Sequence, residues 1–314
     1  VTIVSVGYSN EEEWRALRHR HVGGSETAAL FDEHPRLTRF ELFHRKAGNV
    51  PEPDFSGDQR IFWGQTLEPA IAMGVAKMHG WNVRKVRRYL KKPLAIFNGN
   101  EVGLGGSLDY SIEAHERGPG VLEIKCADWL IFRNWPDGNP PIEYELQLQD
   151  YLHLAQREWG AIAVLVGGND LRVFIRDRRP GIGKKIEGKA TAFWESLIRG
   201  TPPKPDFNFD ADTIGQLYGA SKPGTTINLS HDNRLHELIA EYQRGSALEK
   251  QGDLIKSATK AEIREKIGDN EIVYCSDWRI NATMVAAKHI EAHDKAGYRT
   301  FRIFPNSKPK DMSA

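Results

Sequence analysis

GGSLDYSI (residues 105–112) and, across a Gly- and Pro-rich turn, GVLEIKC (residues 120–126) decide how this chain is read. Both runs carry the β-branched and apolar residues of strands, and side chains two apart on a strand share a face. Glu123 and Lys125 therefore point one way, with Ile124 packed behind them, and Asp109 lies on the preceding arm of the hairpin. Two carboxylates beside an ammonium can hold a hard divalent cation and polarise a water next to a phosphate. Strands with mixed charge on a solvent face are common, so the pattern gains weight only from its surroundings.

Upstream, FWGQTLEPAIAMGVAKMHG (residues 62–80) has apolar positions at roughly 3.6-residue spacing and carries a carboxylate, Glu68, early in the run. Downstream, PPIEYELQLQDYLHLAQ (residues 140–156) reads as a second helix that places Gln147 and Tyr151 on one face, four residues apart. Separate elements thus supply Glu, Asp, Glu, Lys and Gln in the order a metal-dependent phosphodiesterase core needs.

The succession Glu68, Asp109, Glu123-Ile124-Lys125 and Gln147-x-x-x-Tyr151 resembles the PD-(D/E)XK nuclease superfamily, and within it the lambda-exonuclease or YqaJ-like phage recombination exonucleases. Trp14, Arg18 and the VGGSETAAL run (residues 22–30) with Ser25 are similar to that family's opening segment, and WGQTLEP (residues 63–69) to its helix motif. The resemblance spans roughly residues 10–205. Two departures stand out. Where the family often has Ser-Pro-Asp-Gly, this chain has Ser107-Leu108-Asp109-Tyr110, and where the YqaJ pattern reads Gly-Gly-Ser-Asp, Glu26 follows Ser25.

The resemblance implies an α/β (α+β) fold with a restriction-endonuclease-like core, a central mixed sheet flanked by helices. It implies a 5′→3′ exonuclease on double-stranded DNA ends that leaves 3′ single-stranded tails, a single-strand annealing protein as partner, and a ring-shaped homotrimer. It further implies Mg²⁺ (with Mn²⁺ able to substitute) held by Asp109, Glu123 and the backbone carbonyl of Ile124, with Glu68 joining through water or a second ion. Lys125 would orient water and steady negative charge, and Gln147 would position Lys125 or the phosphate. A terminal 5′-phosphate would meet Arg18, Ser25 and the amides of Gly23 and Gly24, while Tyr151 would contact DNA. The competing functions are a restriction or repair endonuclease with the same core and a catalytically silent DNA-binding or assembly module that retains the fold.

Composition sets bounds around this reading. Hydrophobic residues at 40% and charged residues at 27% are ordinary for a globular protein, and a net charge of +1 neither favours nor excludes nucleic acid. A local basic run does exist: WNVRKVRRYLKK (residues 81–92) holds Arg84, Lys85, Arg87, Arg88, Lys91 and Lys92, a candidate phosphate-contacting stripe. Two cysteines, Cys126 and Cys275, cannot supply the four thiolates of the iron–sulfur cluster found in some superfamily relatives, and are expected as reduced thiols of a cytoplasmic protein in a bacterial host, phage or prophage encoded. No apolar run approaches the ~20 residues of a membrane span, and no secretory signal pattern opens the sequence. His19 and His21 flank Arg20 without a third metal ligand and read as surface or phosphate-neighbouring residues; Trp63, Trp159 and Trp194 read as core, and Trp135, in a Pro-Gly loop, as exposed.

Along the chain, short helices are expected at 24–33 and 38–47, a Pro-rich loop at 49–57 and a long helix at 58–78. A strand-rich block follows at 81–126 with turns at Lys92-Pro93, Asn98-Gly99 and Gly118-Pro119-Gly120, then a helical stretch at 128–134, the Gln147 helix, a hairpin around Gly167-Gly168-Asn169-Asp170 and a helix at 183–199. TPPKPDF (residues 201–207) marks the boundary between a core of residues 1–205 and an extension of residues 206–314 with helices at 232–256 and 260–267 and strands in EIVYCSDWRI and YRTFRIF.

Overall fold

Gly and Pro punctuate this chain into short apolar runs that become strands and longer periodic runs that become helices. The computed structural model describes residues 2–286 and divides into two compact units after Tyr218. The first unit opens with β1 (Val4–Val6), α1 (Glu11–His19), β2 (His21–Val22), α2 (Gly24–Thr27), a 3-10 turn (Ala28–Phe31) and α3 (Arg39–Lys46). The long helix α4 (Gln59–His79) starts where Asp58 caps the amides of Arg60 and Ile61, and ends at Gly80, whose φ of 66° lies in the left-handed region that glycine tolerates. Strands β3 (Asn82–Lys85), β4 (Tyr89–Phe97), β5 (Asn100–Ser107), β6 (Tyr110–Ala114) and β7 (Gly120–Ala127) follow. After them come α5 (Trp129–Phe132), α6 (Ile142–Ala155), the hairpin β8 (Trp159–Val166) and β9 (Asp170–Asp177), α7 (Pro180–Ile198) and α8 (Ala211–Leu217).

The expected α+β architecture of mixed strands flanked by helices is what the structure has, with the strands shared between two sheets. One has the order β3-β6-β7-β8-β9, antiparallel except for β7 beside β8; the other has the order β1-β4-β5-β2, antiparallel except for β2 beside β5. Helix α6 is the crossover that the parallel pair β7 and β8 requires. The chain changes sheets between β3 and β4 and again between β5 and β6. These crossings touch, because the Val86 amide donates to the Asp109 carbonyl at 3.3 Å. Asp109 therefore sits in the seam between the sheets.

Alternation along β7 divides its side chains between two layers. Leu122 and Ile124 pack with Ile71, Ala72 and Val75 of α4, whereas Val121 packs with Leu148, Tyr151 and Leu152 of α6. Glu123 and Lys125 share the α6 face with Val121, as the period of two requires. Trp159 and Trp194 are fully buried as expected, each worth roughly 1.5–3 kcal/mol of apolar burial. The other two tryptophans reverse expectation: Trp63 is 52% exposed, and Trp135 is 8% exposed because it packs against Phe132, Tyr144 and Phe174. A Pro-Gly loop is an exposed backbone only when nothing packs on it.

Lys92-Pro93 is likewise no turn. It lies inside β4, where the register against β5 shifts between Pro93 and Ala95 because proline offers no amide to the ladder. The first unit also runs past the boundary expected at residue 205. Asp210 is fully buried and accepts a hydrogen bond from the Thr38 hydroxyl, which in turn caps the Glu41 amide at 3.0 Å. Thr38→Ala removes both the cap of α3 and the anchor of residues 206–218, so a stability loss of about 1–2 kcal/mol is expected in urea titration.

In the second unit the described residues form α9 (Asn233–Ile267) and the hairpin β10 (Ile272–Cys275) and β11 (Trp278–Asn281). The two helices expected at 232–256 and 260–267 are one, since Ser257, Ala258 and Thr259 contain no breaker. The expected strand in YRTFRIF lies outside the described residues.

Candidate active site

Asp109, Glu123, Lys125, Gln147 and Tyr151 converge between β7, α6 and the sheet seam. The Asp109 carboxylate accepts the Ile124 amide at 2.9 Å, which holds it beside β7. Glu123 is only 1% exposed; its Oε1 accepts from Gln147 Nε2 at 2.6 Å and from Lys125 Nζ at 2.8 Å. Gln147 turns its Oε1 to Lys125 Nζ at 2.9 Å, so one amide satisfies an ammonium and a carboxylate at once. Its Nε2 also reaches the Tyr151 hydroxyl at 3.3 Å, and Lys125 Nζ lies 5.0 Å from the centre of the Tyr144 ring. Tyr144 had no sequence signal beyond its place one turn before Gln147.

The electrostatics follow from burial. Desolvation, then the neighbouring Glu123, pushes the Asp109 carboxyl well above the usual range. Burial opposes the charge of Lys125, but Glu123 and Asp109 outweigh it and its pKa is raised, so the ammonium stays protonated. Glu123 Oε2 is buried without a hydrogen-bond partner. An orphaned carboxylate oxygen next to a second carboxylate is a donor set that a hard dication fits. Asp109 and Glu123 with the Ile124 carbonyl are the atoms that would hold it.

Glu68 lies near enough to Asp109 for its charge to help push that carboxyl upward. It lies on α4, the helix that covers the face opposite Glu123, and its carboxylate is ion-paired with Lys85 of β3. Among the described residues no three His, Cys, Asp or Glu side chains converge on a single metal position. The basic run is also mostly engaged: Arg84 pairs with Glu113, Lys91 with Glu101 and Lys92 with Glu187, while Arg88 donates to the Ser5 hydroxyl and carbonyl. Arg87 is exposed between β3 and β4.

A second group adjoins the first. Arg18 stacks over the Trp14 ring at 4.8 Å and donates to the Ser25 hydroxyl at 3.3 Å, and Trp14 Nε1 donates to Ser107 at 3.1 Å, two residues before Asp109. The Gly23 amide, expected to face an anion, is taken by Glu26 at 2.8 Å, and Glu26 is neutralised by buried Lys46. Gly24 is required because a Cβ there would lie 2.5 Å from Tyr151 Cε1. His21 is buried, not on the surface; burial lowers its pKa to about 4, leaving it neutral with Nδ1 2.7 Å from the Leu17 carbonyl.

Asp150 is a functional-looking residue that sequence reasoning missed, although a carboxylate inside the run LQLQDYLHL was a signal. It is fully buried on α6, receives a hydrogen bond from Thr27 at 3.3 Å, and burial raises its pKa to about 8. The folded state therefore binds a proton that the unfolded chain releases above about pH 4. Stability is lost as pH rises from about 4 to about 8 and levels off beyond. Asp150→Asn should flatten that slope, and denaturant melts across this range will show the variant gaining on the parent as pH rises.

The family model described as a YqaJ-like viral recombinase domain matches residues 13–158. The matched residues contain every side chain of the cluster just described. The chain is also similar to YqaJ of Bacillus subtilis (strain 168), an uncharacterized protein, with 25% identity over 264 residues covering 82% of this chain and 79% of the relative. Among solved structures it is similar to an alkaline exonuclease from Laribacter hongkongensis, with a TM-score of 0.46 and 20% identity over 66% of this chain and 99% of that one. A phage related exonuclease from Haemophilus somnus 129PT is similar with a TM-score of 0.35 and 14% identity, over 62% and 90%. No described helix is long and apolar enough to cross a membrane.

Proposed function

We propose that this chain is an Mg²⁺-dependent exonuclease that digests one strand of duplex DNA 5′→3′ and leaves a 3′ tail for an annealing protein. The observation that carries this reading is the buried Glu123 carboxylate, with one oxygen unpartnered, beside Asp109 and a protonated Lys125. The YqaJ-like domain supports the recombination context. When bound, the ion supplies charge that offsets the phosphate and lowers the proton affinity of water. Lys125 Nζ places a fixed positive charge where the phosphate oxygens gain negative charge. Gln147 holds Nζ and Glu123 in register, and Tyr151 holds Gln147.

Arg18 and Ser25 offer a guanidinium and a hydroxyl to a terminal phosphate, with Arg84, Arg87 and Arg88 along the duplex path. A ring of three copies encircling the DNA is the assembly this reading favours. The test is digestion of linear duplex with and without a 5′-phosphate, alongside a closed circle, in Mg²⁺, Mn²⁺ and EDTA. Loss of the 5′-phosphorylated strand in either metal, and none in EDTA, is expected. Arg18→Ala should raise KM for phosphorylated ends about 10-fold or more with little change in kcat. Equal degradation of circle and linear duplex would contradict an end-dependent enzyme.

A further inference from the structure

Lys85, read from the sequence as part of the basic stripe, is fixed by the fold beside the site instead. Pairing of β3 with β6 sets Lys85 directly opposite Tyr110, the neighbour of Asp109, and the Val86 amide beside it holds the Asp109 carbonyl. Its ammonium forms an ion pair with Glu68 and lies 5.0 Å from the centre of the Tyr110 ring. Glu68 is held from the other side by α4, its side chain 19% exposed. We infer that Lys85 stands in for a second metal ion, so that this nuclease works with one dication, at Asp109 and Glu123, and with an ammonium at Glu68.

Charge balance leads to the same arrangement. Glu68, Asp109 and Glu123 set against Lys85 and Lys125 leave a single net negative charge. One dication and one bridging phosphate bring the site to neutrality, whereas a second dication in place of Lys85 would leave it singly positive, a costly excess in a partly buried site. A second ion at Glu68 would also have to displace Lys85, which has a carboxylate and an aromatic face already in place. Glu68 is then a positioning residue: it holds Lys85 and touches no metal.

This inference rests on the metal-dependent reading, and the test separates the two. Mn²⁺ is titrated into the full chain and bound ions are counted by electron paramagnetic resonance, which needs no turnover. One ion per chain is expected for the parent and for Lys85→Arg, and two for Lys85→Met, where Glu68 is released. Lys85 is 43% exposed, so Met is accommodated without a buried gap. Two ions in the parent, or one in Lys85→Met, would overturn the substitution of ammonium for metal while leaving the nuclease reading intact. No Mn²⁺ bound by the parent would remove both.

Discussion

Asp109→Asn is expected to lower DNA hydrolysis by at least about 1,000-fold while leaving the metal-free protein as stable as its parent or more so. The asparagine oxygen can still accept the Ile124 amide, so the seam between the sheets keeps its hydrogen bond. What disappears is one of two buried carboxylates, the one that desolvation first, and then repulsion by Glu123, pushes upward. Relief of that repulsion should contribute roughly 0.5–2 kcal/mol in EDTA. Added Mg²⁺ should raise the melting temperature of the parent, by about 2.7 kcal/mol of stabilisation at a hundredfold excess over Kd, and should leave the variant unmoved. A purely structural carboxylate would show the opposite: lost stability with activity following in proportion.

Gly106→Ala should damage the site without touching a carboxylate. A Cβ at that position would fall 2.5 Å from Cε1 of Tyr151, a ring enclosed by α6, β5 and α2 with nowhere to turn. Overpacking of this kind costs about 1–3 kcal/mol. Displacement of the ring also frees the hydroxyl that steadies Gln147, and with it the bridge from Lys125 to Glu123. A fall in kcat of at least about 10-fold, beyond what the unfolded fraction explains, is expected. The double variant Gly106→Ala with Tyr151→Phe separates the two effects, because it keeps the clash and removes the hydroxyl in advance.

Legibility of this chain in its sequence tracked how local the determining forces are. The period of two in LEIK placed Glu123 and Lys125 on one face, and Asp58 and Gly80 bound the long helix within a residue or two of its expected span, because capping and alternation act over a few residues. The Gln147 and Tyr151 pair came together for the same reason. What could not be read was anything fixed by a distant partner. The basic run looked like a free stripe until Glu68, Glu101, Glu113 and Glu187 were found beside it. Trp63 and Trp135 exchanged their expected places because burial depends on which element arrives to cover a side chain. Thr38 and Asp210, far apart in sequence, carried the first unit past its Pro-rich mark.

The central claim is that Asp109 and Glu123 hold a divalent cation in common. Crystals of the full chain soaked in Mn²⁺ and measured for anomalous scattering test it most directly. The account predicts a peak about 2.0–2.3 Å from an Asp109 carboxylate oxygen and from Glu123 Oε2. A peak elsewhere, or none at those oxygens in crystals that bind Mn²⁺, would contradict it.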